Sequence, residues 1–268
     1  MSTLYPRNER RRGLLYGRRK GPKLSGHQAA LFQTLLPQLE LKLETGRDPR
    51  TYFDSPVEDV WLEIGFGGGE HLLWQAQHHP NTGLMGAEPY ENGVAKLLSK
   101  LSSPSHPPLE GASKNSSAAM NFSGRGDLAA STPPRNLRIH QGDAREIIEA
   151  LPDDSLGRVF LLFPDPWPKR RHHKRRFIQT ETLGALARVM RTGAELRFAS
   201  DDENYIAWTL ERVLAHGAFE WLATCAADWR TRPADWPPTR YEAKALHGVP
   251  MFLRVRRRDL QSAGPRRT

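Results

Sequence analysis

The chain has 268 residues, 38% hydrophobic and 26% charged, which is enough apolar material for one large domain or two small ones and too much for wholesale disorder. Its one cysteine, Cys225, excludes an internal disulfide framework and a multi-cysteine zinc site. A formal charge of +9 points to a polyanionic partner, and no apolar run is long enough to span a bilayer.

Residues 1–25 are rich in Arg, Gly and Pro and predict a mobile basic arm with no apolar secretory segment behind it. Leu31, Leu35, Leu39 and Leu43 recur at helical spacing over 27–44, interrupted by Pro37. Residues 57–64 read as a buried strand and 70–79 as a helix. A second strand over 84–87 ends at Glu88, and a helix follows over 91–101. Residues 102–135 contain eight Ser, five Pro and three Gly with almost no periodicity, the signature of a flexible surface insertion. Strands are expected at 137–140 and 158–163, with a helix at 144–150 between them. The pattern over 176–191 predicts an amphipathic helix capped by Gly193, with a strand over 194–199. A helix over 203–216 and a late strand over 250–257 complete the series. Strands alternating with helices imply an α/β fold, a Rossmann-like, doubly wound, mostly parallel sheet with helices on both faces. Residues 26–258 are expected to form one domain, and 259–268 a basic tail.

The charge is clustered. Residues 1–24 carry a net +7, Lys169 to Arg176 +6 and residues 254–268 +5, so the rest of the chain is −9. Runs of this kind neutralise phosphates and release counterions on nucleic-acid binding. The internal run is the more telling one, because six like charges inside a folded region repel one another.

Strand 57–64 runs into Gly65-Phe66-Gly67-Gly68-Gly69-Glu70, a glycine-rich turn at which backbone can approach a ligand closely. Glu88, 23 positions after Gly65, is placed to accept hydrogen bonds from ribose hydroxyls. No intact dinucleotide fingerprint is present, since position 70 is Glu, and Glu63 at the loop's entry would repel a pyrophosphate. The pair suits a cationic cofactor such as S-adenosylmethionine. Asp143 after the third strand is a helix cap, a partner for an adenine amino group, or both. After the fourth strand, Pro164, Pro166 and Pro168 stiffen the backbone around Asp165, beside the flat face of Trp167 and the basic run from Lys169. The histidines lack ligand-like spacing with carboxylates and read as surface residues, and Cys225 reads as a small buried residue.

On these residues, with Ala199-Ser200-Asp201, Thr239-Arg240-Tyr241-Glu242, Lys174-Arg175-Arg176 and the N-terminal Tyr16-Gly17-Arg18-Arg19, the chain resembles the tRNA (guanine-N7-)-methyltransferases. The resemblance spreads over most of 14–257 and departs from the family's compact pattern at 102–135. It implies a class I methyltransferase fold, S-adenosylmethionine as methyl donor, no metal, and guanine 46 of the tRNA variable loop as acceptor. It carries over Glu63, Glu88, Asp143 and Asp165, beside Gly65 of the glycine turn, as cofactor-site residues. Lys169, Asp201, Thr239, Arg240, Tyr241 and Glu242 come over as substrate-binding residues, with Asp165 as the catalytic one. A cytoplasmic enzyme with no membrane association and no obligate protein partner is expected. Asp201 or Glu242 is the candidate acceptor for the guanine N1–H and N2–H2 edge, and Trp167 or Tyr241 the stacking platform. A non-catalytic RNA-binding protein would need the basic runs without Glu63, Glu88 and Asp143 in one crevice. A nicotinamide oxidoreductase would need the missing third glycine.

Overall fold

The computed structural model describes residues 17, 19–103 and 133–259; the rest of the arm, most of the 102–135 insertion and the end of the tail lie outside the described residues. Seven strands form one sheet in the order β3-β2-β1-β4-β5-β7-β6. They are β1 (Asp59–Ile64), β2 (Thr82–Ala87), β3 (Leu137–His140), β4 (Leu156–Leu162), β5 (Met190–Ser200), β6 (Phe219–Trp221) and β7 (Met251–Arg257). β1 to β5 pair in parallel, whereas β7 runs antiparallel to both β5 and β6. This is the Rossmann-like, mostly parallel sheet that the alternation of elements predicts. The strand order reverses between β1 and β4, so the crevice at their carboxyl ends is where such a sheet holds ligands.

Helices cover the sheet because their apolar stripes have to be buried. The two leading helices are α1 (Gly26–Thr34) and α2 (Leu36–Leu39); they divide at Leu35, and Pro37 sits in the first turn of α2, where its missing N–H costs no helical bond. α3 (Glu70–His78) and α4 (Glu91–Leu101) join them on one face; α4 buries Val94, Leu97, Leu98 and Leu101 there. α5 (Ala144–Ala150), α6 (Thr180–Val189) and α7 (Glu203–His216) pack on the opposite face around Leu62, Ile64, Val159, Leu161 and Phe198. β1 presents apolar residues to both faces, which is why it reads as a near-continuous hydrophobic run. The short helices α8 (Ala227–Arg230) and α9 (Arg240–Lys244) belong to the segment between β6 and β7. Periodicity did not reveal β6, α8 or α9, each being only three to five residues long.

Several boundaries differ from expectation: β1 starts at Asp59, β2 at Thr82, β4 spans Leu156–Leu162, β5 starts at Met190, and the helical stretch expected over 27–44 ends at Leu39. The 176–191 helix starts at Thr180 and stops at Val189, and Gly193 lies inside β5 instead of capping the helix. The chain turns extended at Met190, where the residue is fully buried and pairs with Leu156, so strand pairing overrides the helical pattern. Cys225 is exposed, not buried, because it sits in the turn that Asp228 ties down through the Thr224 and Cys225 amides.

Candidate functional site

The glycine turn begins where β1 ends. Gly67 has φ +56, and a side chain there would meet the Tyr241 ring at 3.1 Å, so glycine is required on both counts. Its N–H donates to Glu88 Oε2 at 2.6 Å, and the Tyr90 N–H donates to Glu88 Oε1 at 2.8 Å. Both oxygens of this carboxylate, just past the end of β2, are thereby fixed in place by backbone donors. Burial pushes the Glu88 carboxyl above the usual glutamate range, the two backbone N–H groups oppose this, and the charges of Glu63 and Asp165 push it up further. Glu88 thus lies within the fields of two other carboxylates, Glu63 and Asp165. Such a cluster is disfavoured in itself and is relieved by a cationic ligand, the fit required for a sulfonium and ammonium donor.

Glu63 is only 4% exposed, and its Oε2 lies 2.8 Å from Nδ1 of the buried His71. His71 is thus not a surface histidine; it faces the sheet from the first turn of α3, edge-on to Phe160. Asp143 stands at the carboxyl end of β3, where it caps α5 through the Arg145 N–H and pairs with the Arg145 guanidinium.

Phe163 and Trp167, each followed by proline, hold positive φ of 50° and 46° on either side of Asp165. Non-glycine residues in this region cost of order 1–3 kcal/mol each and persist only where surroundings impose them. Here the imposition comes from Arg176. Its Nε donates to the Pro166 carbonyl at 2.8 Å and its Nη2 to Asn204 Oδ1 at 2.8 Å, while its guanidinium lies over the Tyr205 and Trp208 rings. Arg176 has no exposed surface, so it is a brace for the Asp165 loop and cannot reach a phosphate. Asp165, Lys169, Arg170, Arg171 and Lys174 are exposed, the last three on or beside a 3-10 turn over Arg170–Arg175. Arg175 covers one face of Trp167 at 4.8 Å, which leaves that ring half-buried.

The basic arm meets this site. The Gly21 N–H donates to Asn92 Oδ1, the Asn92 amide donates to the Pro22 carbonyl, and the Glu91 N–H donates to the Arg19 carbonyl. These bonds lead the chain across the crevice rim to Gly17, where a side chain would lie 3.8 Å from Asp165 Oδ2.

The 239–242 motif arrives from the other side. Thr239 caps α9 through the Glu242 N–H, and Tyr241 packs its ring on Gly67. Glu242 pairs with Arg232 at 3.0 Å, not with Arg240, whose guanidinium instead bonds the Tyr241 hydroxyl. Asp201, at the end of β5, accepts the His247 N–H at 3.0 Å and so anchors the far side of the same segment; the cap of α7 is Asp202. Thr239 to Glu242 and the glycine turn thus share one rim, with Lys169 and the exposed cations beyond Asp165. Asn92, His71, Gln75 and Asp235 help to build the site without any motif to mark them; the signal available was the four-residue spacing of His71 and Gln75 on one helix face. Among the described residues no helix is long and apolar enough to cross a membrane, and no cluster of three or more potential ligands for a metal occurs.

A family model described as "Putative methyltransferase" matches residues 57–250. A protein of Rhodospirillum rubrum named tRNA (guanine-N(7)-)-methyltransferase is 47% identical over 250 residues, 91% of this chain and 87% of that protein. Its namesake in Brucella abortus is 44% identical over 88% of this chain and 90% of its own length. The namesake in Rhodopseudomonas palustris is 45% identical over 87% of this chain and 78% of its own length.

Proposed function

The chain belongs to the tRNA (guanine-N7-)-methyltransferase family, with its class I methyltransferase fold, and we propose that it methylates N7 of guanine 46 in the variable loop of tRNA, in the cytoplasm, using S-adenosylmethionine. The observation that carries this reading is the meeting at Gly67 of an acid-lined crevice with the Tyr241 segment, beside a surface of exposed cations. The acid side suits the positive methyl donor, and the cationic side suits an RNA backbone.

When bound, the donor supplies a methyl group on a positively charged sulfur. Glu63, Glu88, Asp143 and Gly65 would hold it. Guanine N7 carries an in-plane lone pair and needs no general base, so the protein's task is alignment, desolvation and stabilisation of the cationic purine that forms. Asp165 stands on the stiffened loop to supply the last of these. Lys169, Arg170, Arg171 and Lys174 would hold phosphates while Asp201, Thr239, Arg240, Tyr241 and Glu242 position the base. Tertiary RNA pairing often occupies N7, and in this reading the enzyme draws the base out of its stack to react. A tRNA transcript whose variable-loop guanine is replaced by 7-deazaguanine should accept no methyl group, while binding as the unmodified transcript does. Methylation of that transcript at the wild-type rate would move the acceptor elsewhere.

Glu88 makes methyl-donor binding pH-dependent. Its pKa lies above the ordinary glutamate value, so it takes up a proton earlier as pH falls, and a protonated Glu88 loses its charge and half its acceptor capacity. Donor affinity should therefore decline from a higher pH than an ordinary carboxylate of pKa about 4.3 would give. The stability of the ligand-free protein has the opposite sign: it decreases as pH rises from the unfolded value of Glu88 to its raised folded value. Calorimetry with S-adenosylmethionine across this range should show the decline, and Glu88→Gln should flatten it. A pH-independent wild-type affinity would detach Glu88 from the donor site.

A further inference from the structure

Glu63 stands at one end of a buried hydrogen-bonded chain that reaches the acceptor side of the site. Glu63 Oε2 lies 2.8 Å from His71 Nδ1. His71 Nε2 lies 3.1 Å from Gln75 Nε2, and the same Gln75 nitrogen donates to the Asp235 carbonyl at 3.2 Å. The polarity of the chain is fixed by its ends. A carboxylate and a carbonyl only accept, so Nδ1 carries the imidazole proton, and Nε2 receives one of the two Gln75 amide hydrogens while the other goes to Asp235. His71 is 2% exposed and Gln75 fully buried, so neither group can exchange its partner for water without opening the core.

Asp235 is itself held from three directions. Its carboxylate pairs with Arg197 at 2.7 Å and faces Arg158 at 3.8 Å, and its neighbour Trp236 is buried against Phe252. Thr239, the cap of the acceptor helix, follows four residues later. Gln75 is therefore the link from α3 to the segment that delivers Tyr241 to the glycine turn.

We propose that His71 and Gln75 are positioning residues shared by the two halves of the site: His71 orients Glu63 toward the methyl donor, and Gln75 sets the acceptor segment relative to it. This rests on the function proposed above, in which Glu63 faces the donor and residues 239–242 face the guanine. The chain makes the two halves separable by substitution. His71→Leu removes the Glu63 link but leaves the Gln75 bond to the Asp235 carbonyl. His71→Asn places an amide nitrogen where Nδ1 stood and so keeps both links. Gln75→Leu removes only the acceptor link.

The test pairs the dissociation constant for S-adenosylmethionine, from calorimetry, with the single-turnover methylation rate at saturating donor and tRNA, and with thermal melting. His71→Leu should weaken donor binding about tenfold or more, since a buried charged acceptor loses its donor. His71→Asn should restore donor binding. Gln75→Leu should transfer methyl roughly tenfold more slowly than wild type, because the acceptor is misplaced, whereas His71→Asn, which keeps the Gln75 bond to Asp235, should stay near the wild-type rate. Donor binding by His71→Leu at wild-type strength overturns the proposal. So does wild-type transfer by Gln75→Leu, or a loss of rate that simply follows melting temperature across the three variants. A wild-type protein that binds the donor but methylates no tRNA refutes the proposed function instead, and the donor affinities still test the His71 link.

Discussion

Asp165→Ala should lower the single-turnover rate of methyl transfer by about 10²–10³-fold while leaving the melting temperature where it is. The rate effect is the size expected when one pre-organised electrostatic group is removed from a site of developing charge. The unchanged stability follows from exposure: Asp165 lies at the surface, and substitutions away from the core fall within about 0.5 kcal/mol. The loop around it argues for function, because Phe163 and Trp167 hold strained positive φ on either side. A chain that needed only a β-to-α turn would not hold two aromatic residues in that region. Asp165→Asn separates charge from shape. If the carboxylate stabilises the cationic product, the amide is nearly as slow as alanine; if Asp165 only positions a neighbour by hydrogen bonding, the amide retains most of the rate. Full activity of Asp165→Ala would remove the residue from the mechanism.

The basic run from Lys169 to Arg176 should divide into two kinds of cation. Replacing Arg170, Arg171 and Lys174 by Gln should leave stability within about 0.5 kcal/mol and reduce the slope of log affinity for tRNA against log salt by about 2. Arg176→Gln should do the reverse. It deprives the Pro166 carbonyl and Asn204 of a buried charged donor and takes a guanidinium from between Tyr205 and Trp208. A loss of about 1–3 kcal/mol for each buried acceptor left without its donor follows. Its salt slope should match wild type, since no phosphate reaches a side chain without exposed surface. Arg176→Lys keeps the charge but not the fork, so it should recover only part of the lost stability. A lowered salt slope in either Arg176 variant would place that residue at the RNA after all.

Much of this was legible in the chain. Glu91–Leu101, Leu137–His140 and Ala144–Ala150 could be bounded by periodicity because each carries its full apolar stripe and its own stop signal. The glycine turn and the Pro-flanked Asp165 were legible because backbone geometry restricts the residue types that can build them. Arg176 was not, because charge says nothing about burial, and the six cations of 169–176 look alike until one is found against the Trp208 ring. His71 was misread for the same reason: a lone histidine two positions into a helix matches a surface residue as well as a partner for Glu63. Asp235 and Asn92 act through long-range contacts, 160 residues from Gln75 in one case and 71 from Gly21 in the other, and no local pattern encodes such a pairing.

Methylation of guanine N7 in tRNA is tested by incubating the protein with S-adenosylmethionine labelled at its methyl group and tRNA lacking the modification, followed by digestion to nucleosides and chromatography. The label should appear in 7-methylguanosine, in one residue per tRNA, mapped to the variable loop. Label in any other nucleoside, or none in tRNA despite binding of the methyl donor, would contradict it.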